Sequence, residues 1–216
     1  QIGESRPADA PTFFFIDIQP DQVGGISRLL RDRVGAHAPN LTPLARSRLV
    51  AVNGKPVKTE AISEEEERTI QAADKEQRRK TWYLTREYVL TFLDQLPKDN
   101  VIVKGQWWTP GQAFSMPKVS VEEEAAKAMG LDVGQTIELD IQGTPLVAEV
   151  SSIRKVEWGD FSTNFYMVLS PGALDGAPLT YVATAQVPPS DDVSLQQAIV
   201  AGFPNVTAIN IGDVLD

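Results

Sequence analysis

Hydrophobic positions along the chain change period several times, and each change marks an element. Residues 12–18 (TFFFIDI) are aromatic and β-branched, the composition of a buried strand. Pro20-Asp21 then opens a helix, because proline tolerates the first turn and aspartate accepts from its free N–H groups. Val23, Ile26, Leu29, Leu30 and Val34 follow at helical spacing, and Gly35 sits where a helix-ending glycine belongs. The paired Gly24 and Gly25 weaken this helix. Residues 48–53 (RLVAVN) predict a second strand, which Asn53-Gly54 returns into Lys55-Pro56-Val57 as a hairpin. Near the C-terminus the order recurs: a strand over 180–187, Pro188-Pro189-Ser190-Asp191, a helix carrying Val193, Leu195, Ile199 and Val200, Gly202, and a strand over 206–211.

Two strand-helix-strand units therefore bracket the chain. They predict an α+β fold with a split, ferredoxin-like α/β subdomain built from both chain ends, residues 1–60 with 178–216. Their strands can share one sheet only if residues 61–177 form an insertion. That insertion reads as mainly β. Ser63 and Glu66 make a capping box for an exposed helix that ends at Arg78, Arg79 and Lys80. From Trp82 the period is two: Trp82, Leu84, Tyr88, Leu90 and Phe92 share a face that only Arg86 interrupts, which predicts one long strand. After a strand over 101–105 comes Trp107-Trp108. Ser120 and Glu123 make a second capping box, on a short helix ending at Met129-Gly130. Strands over 136–141 and 145–156 turn at Gln142-Gly143, and a last one, 164–169, follows Trp158.

Composition narrows the chemistry. The 216 residues carry 20 Lys plus Arg against 29 Asp plus Glu, a net charge of -9, with one histidine and no cysteine. Without cysteine there is no disulfide, thiolate zinc site, iron–sulfur cluster or cysteine nucleophile. The negative charge argues against nucleic acid as a partner, since binding it requires a basic patch. Residues 118–216 hold 4 basic and 14 acidic side chains, whereas 1–117 are nearly balanced at 16 and 15. No window approaches the ~18 consecutive apolar residues of a spanning helix. Opening on Gln1 and stopping on Asp216 just after a Gly212-Asp213 helix-start signal, the chain is expected to be a fragment of a longer protein.

No G-x-S-x-G elbow, Walker lysine, G-x-G-x-x-G fingerprint or H-E-x-x-H motif occurs. His37, between Gly35 and Pro39, reads as an exposed loop residue, and Asp17 as a polar residue on the second face of its strand. Glu64 to Glu67 and Glu122 to Glu124 stand at helix starts, where successive side chains diverge and cannot converge on one cation. No catalytic, cofactor-binding or metal-ligating residue is therefore assigned. Trp107 and Trp108 are the conspicuous feature. Adjacent residues at a strand end face opposite sides, so one indole is expected in the core and the other at a seam or surface. There it would contact a partner or an apolar ligand. An alternative function is a soluble carboxylate-dependent hydrolase using Asp17 with Asp160 or Glu157 as acid and base.

Four blocks in series carry a family resemblance: PTFFFIDIQPDQV from Pro11, LVAVNGKPV from Leu49, the Leu96-Pro97 block ending G-Q-W-W at Trp108, and IRKVEWGDFSTNFYMVLSPGAL from Ile153. With the helix-turn-strand segment VSVEEEAAKAMGLDVGQTIEL from Val119, they resemble the periplasmic domains of MacB/FtsX-type ABC transporter permeases, and more narrowly the YbbP-like subfamily. The resemblance implies a porter-like α/β subdomain from both ends of the segment with a β-rich subdomain inserted. It further implies a segment on the periplasmic side of the bacterial inner membrane that is not itself an enzyme and that transmits motion driven by a separate cytoplasmic ATPase subunit. The partners so implied are that ATPase and a periplasmic esterase or lysophospholipase-type hydrolase, with a hydrophobic or lipid-like substrate. No cofactor is implied.

Overall fold

The computed structural model describes residues 11–34, 39–57, 68, 74–158 and 163–211. Among them eleven strands and four helices form: β1 (Phe13–Ile18), α1 (Val23–Val34), β2 (Asn40–Val52), β3 (Lys55–Pro56), α2 (Lys75–Thr85), β4 (Glu87–Phe92), β5 (Asn100–Gly105), β6 (Lys118–Glu122), α3 (Glu123–Met129), β7 (Thr136–Ile141), β8 (Thr144–Val156), β9 (Met167–Leu169), β10 (Thr180–Ala185), α4 (Asp192–Gly202) and β11 (Thr207–Asn210). They make two compact units, one from the described residues of Gln1–Leu44 and Leu179–Asp216, the other from those of Ala45–Pro178. The first division falls after Leu44, earlier than residue 60, because β2 begins at Asn40 and its residues from Ala45 onward pair with strands of the second unit.

In the first unit the strand order is β11-β1-β10-β2, every neighbour antiparallel. β1 and β2, joined by α1, therefore run parallel with β10 between them, and β10 and β11, joined by α4, run parallel with β1 between them. This is the split, ferredoxin-like arrangement that the bracketing pattern predicts. Phe13 and Phe15 stand opposite Ala185 and Ala183, small residues that leave room for the two stacked rings, whose centroids are 5.7 Å apart. Ile26 and Leu30 of α1 and Leu195 and Ile199 of α4 pack on the same core. Burying each such side chain contributes about 1.5–3 kcal/mol. Pro20 and Pro189 each open a 3-10 turn just before its helix, which delays the helices slightly relative to the sequence signal. Gly25 is absorbed into α1 for a packing reason: a Cβ there would come within 2.9 Å of the Phe203 ring. Pro43 lies in the stretch of β2 paired only with β10, an edge position where a missing N–H is tolerated.

In the second unit the pairings close on themselves: β2 to β4, β4 to β9, β9 to β6, β6 to β8, β8 to β7, and β7 back to β2. β5 extends from the far end of β8. Alternation along β7 buries Ile137, Leu139 and Ile141 inside this ring, with Val119, Val121, Val150 and Leu169. Both predicted turns are present. Asn53-Gly54 and Gln142-Gly143 take left-handed φ values of 49°, 75°, 51° and 94°, as two-residue hairpins demand.

Several local expectations fail. The strand expected over 48–53 already begins at Asn40. Trp82 to Thr85 belong to a helix, not to a long strand, and β4 starts only at Glu87. The second capping box is displaced: α3 is capped by Glu122, whose side chain accepts from Ala125 N at 2.8 Å. Ser120 lies instead within β6, bonded to Ser152 Oγ at 2.8 Å. The last strand shrinks from 164–169 to Met167–Leu169. The Ser63 capping box lies outside the described residues. Among the described residues no helix is long and apolar enough to cross a membrane.

Candidate functional site

The aromatic residues of the second unit converge around one arginine. Asp74 starts α2 by accepting from Gln77 N at 2.8 Å, and residues 75–80 (KEQRRK) are good helix formers, so the helix carries through Trp82 and Tyr83. It stops at Arg86, whose backbone turns extended with its N–H on Trp82 O at 3.2 Å. Helix end, link and strand thus place Trp82, Tyr83, Arg86 and Tyr88 in one neighbourhood. Tyr166 is their common contact, with ring centroids 6.2 Å from Trp82, 5.8 Å from Tyr83, 6.2 Å from Tyr88 and 4.7 Å from Trp158. Most of these pairs are edge-on, the geometry that the ring quadrupoles favour.

The Arg86 guanidinium carbon lies 4.1 Å from the Trp82 ring centre, 4.6 Å from that of Tyr166 and 5.4 Å from that of Tyr88. Its Nε donates to Glu87 O at 3.3 Å. Each cation–π contact at a partly exposed site contributes about 0.5–1 kcal/mol. Beneath it Tyr88 is buried and donates its hydroxyl to Tyr83 O at 2.5 Å. Burial pushes the Tyr88 phenol above the ordinary tyrosine range, against the pull of Arg86. The Tyr83 phenol is raised as well, first by burial and then by the Glu122 charge. Trp82 and Trp158 are each 49% exposed, so the cluster has a wet, aromatic outer surface.

Behind the cluster lies a buried polar network. Arg154 on β8 is 0% exposed, donating to Asn100 Oδ1 at 2.9 Å and to Phe165 O, with its Nε unpartnered. Burial lowers its pKa to about 10, opposed by the charges of Glu122 and Asp99. Glu122 is raised, chiefly by burial, although the Ala125 N–H favours its charged form. Asn164 ties Asp99 and Asn100 together at 2.7 and 3.0 Å. The network holds β5, β8 and the Asn164 to Tyr166 segment in place, a structural task.

Trp107 and Trp108 do not face opposite sides. They follow β5 in irregular chain, so strand alternation does not apply, and their rings lie 4.0 Å apart at a 32° tilt. Trp108 is buried and donates its indole N–H to Leu93 O at 2.8 Å; Trp107, half-buried, donates to Asp94 O at 3.1 Å. Asp17 and Glu157 are both exposed, while His37 and Asp160 lie outside the described residues. Asp17 takes φ 62° at a bulge in β1, where its carbonyl accepts from Asn205 Nδ2 at 2.9 Å. Among the described residues no group of three or more His, Cys, Asp or Glu side chains is placed to hold a metal ion. Of the cluster, Trp82, Arg86 and Tyr88 left a trace in the sequence, as members of one stripe on which Arg86 is the charged residue. Trp158 and Tyr166 come from far along the chain, and nothing local links them to α2.

No family model matches the chain. Over 212 residues, 98% of its length, it is 30% identical to the uncharacterized ABC transporter permease YbbP of Escherichia coli (strain K12), and it spans 23% of that protein. A crystal structure of a domain assigned to a permease protein of Porphyromonas gingivalis aligns over 93% of this chain and 91% of its own at 13% identity, with a TM-score of 0.43. The chain is thus similar, over nearly its whole length, to a segment of an ABC transporter permease.

Proposed function

We propose that the chain is a non-catalytic, extracytoplasmic domain of an inner-membrane ABC transporter permease of the MacB/FtsX type, YbbP-like. The observation that supports this reading is 30% identity to a permease over 212 residues, 98% of the chain, a stretch that takes in both units. In this reading an ATPase subunit in the cytoplasm moves the membrane helices of the parent, and this segment shifts in response on the periplasmic side. The two units then present surfaces to a periplasmic partner, for which an esterase or lysophospholipase-type hydrolase is the expected class, or to a hydrophobic, lipid-like substrate. Half-buried Trp107 remains a candidate for that contact, with the buried Trp108 packed against its ring.

The absence of cysteine makes the placement directly testable. V193C in a parent permease whose cysteines elsewhere are replaced, expressed in intact cells, should react with a membrane-impermeant maleimide without lysis. Labelling only after lysis would place the segment on the cytoplasmic side and end the proposal.

A further inference from the structure

Among the described residues, Arg86 is the cation of the aromatic cluster with no acid paired to it. The carboxylates tied to the cluster residues are engaged elsewhere: Glu87 with Arg46 at 4.0 Å, Glu124 with Arg79, and Glu122 as the cap of α3. No described carboxylate makes an ion pair with Arg86, and no described residue accepts from its Nη nitrogens. Yet its guanidinium is held against Trp82 and Tyr166 and pinned through Nε. A pre-ordered, planar fork loses little freedom when a carboxylate arrives, and a half-desolvated cation gains more from it than a freely solvated one does.

The half-exposed indoles of Trp82 and Trp158 both contact Tyr166, and Lys75 and Lys80 are exposed along α2. Tryptophan, tyrosine and arginine gathered at one surface are the composition of interface hot spots. We infer that this patch docks a protein segment that presents a carboxylate beside an apolar side chain, the carboxylate onto Arg86 and the apolar group onto Trp82 and Trp158. A membrane surface fits less well. Attraction to anionic lipid grows with the number of basic residues near the surface, whereas Arg86 stands beside Glu87 in a chain of net charge -9. The inference goes beyond the permease reading and rests on the geometry of this chain alone, so it can fail while that reading stands.

The test uses the isolated chain and three probes: the peptide Ac-Phe-Glu-Phe-NH2, its Phe-Gln-Phe counterpart, and phosphatidylglycerol vesicles. Binding is read from the NMR shifts of the Arg86 Nε–H and the Trp82 and Trp158 indole N–H groups. The acidic peptide should move these signals and bind about five-fold tighter than the neutral one. R86Q should erase that preference, and R86K, which keeps the charge without the fork, should reduce it. R46Q should leave it unchanged, and W158A should weaken both peptides alike. Equal affinity for the two peptides, an unchanged preference in R86Q or R86K, loss of the preference in R46Q, an unaltered W158A, or shifts produced by the vesicles but not by the peptides would each overturn the proposal.

Discussion

Glu122 and Arg154 are Cα partners across the parallel β6–β8 ladder, both buried, yet Glu122 spends its hydrogen bond on the N-terminus of α3 and Arg154 spends its own on Asn100 and Phe165. Their charges interact without forming an ion pair. The pair thus couples two separate structural tasks, capping a helix and bridging strands, through the field between them.

Removing Arg154 should therefore cost more than removing any surface arginine. R154M keeps most of the packing volume but leaves Asn100 Oδ1 and Phe165 O without their donor and Glu122 without its counter-charge. We expect a loss of about 3 kcal/mol in urea unfolding. R46Q, on an exposed 4.0 Å pair, should change stability by less than about 1 kcal/mol. Equal effects for the two variants would mean that Arg154 is dispensable.

Stability should also depend on pH through Glu122. Its folded pKa is raised above the ordinary 4.5, mainly by burial, so the folded chain keeps this proton to higher pH than the unfolded chain does. Stability then falls as pH rises from 4.5 through the raised value. E122Q has no proton to lose, and its amide oxygen can still accept from Ala125 N. Relative to the parent, E122Q should gain stability on going from about pH 4 to pH 7, read by parallel unfolding curves. A constant difference across that range would show that the charge at this position is not strained by burial.

How much of this was legible in the sequence depends on how local each feature is. The ferredoxin-like unit follows from two short patterns, an apolar strand and then proline and a helix, because each element is specified by its own residues. The closed ring of the second unit is not visible that way, since β4 meets β9 and β6 meets β8 across long stretches of chain. At Trp82 two local signals compete. Alternation from Trp82 to Phe92 suggests a strand, but the Asp74 cap and the KEQRRK run nucleate a helix upstream that propagates through Trp82. That same event brings Trp82 beside Arg86 and assembles the aromatic cluster.

Two glycines should respond oppositely to alanine. Gly105 ends β5 at φ 75°, where a Cβ would lie 2.2 Å from Ser151 O, a backbone atom that cannot swing aside. G105A should lose about 2–4 kcal/mol, or fail to fold. Gly24 sits exposed in α1 with nothing within 4 Å of a built Cβ, so G24A should gain about 0.5–1 kcal/mol from helix propensity. Thermal unfolding of both reads the contrast. A destabilised G24A would indicate that α1 needs the backbone freedom of Gly24.

The tryptophan pair separates folding from contact. Trp108 is 5% exposed and fills space beneath the turn after β4, while its indole N–H satisfies Leu93 O. Truncating it leaves a cavity and an unpaired carbonyl, so W108A should lose about 3–5 kcal/mol. Trp107 is half-buried, and its N–H reaches the neighbouring carbonyl of Asp94 at 3.1 Å. W107A removes one stacked ring and one partly solvated hydrogen bond, and should lose only about 1–2 kcal/mol. W107F retains the ring contact and should recover part of that loss. Because the carbonyls of Leu93 and Asp94 are adjacent, both losses should appear as faster amide exchange at Gly111, whose N–H donates to Asp94 Oδ1 at 3.0 Å. If W107A proves as destabilising as W108A, Trp107 is committed to the fold. A mild W107A that leaves the fold intact is the variant with which to ask whether this indole meets a partner.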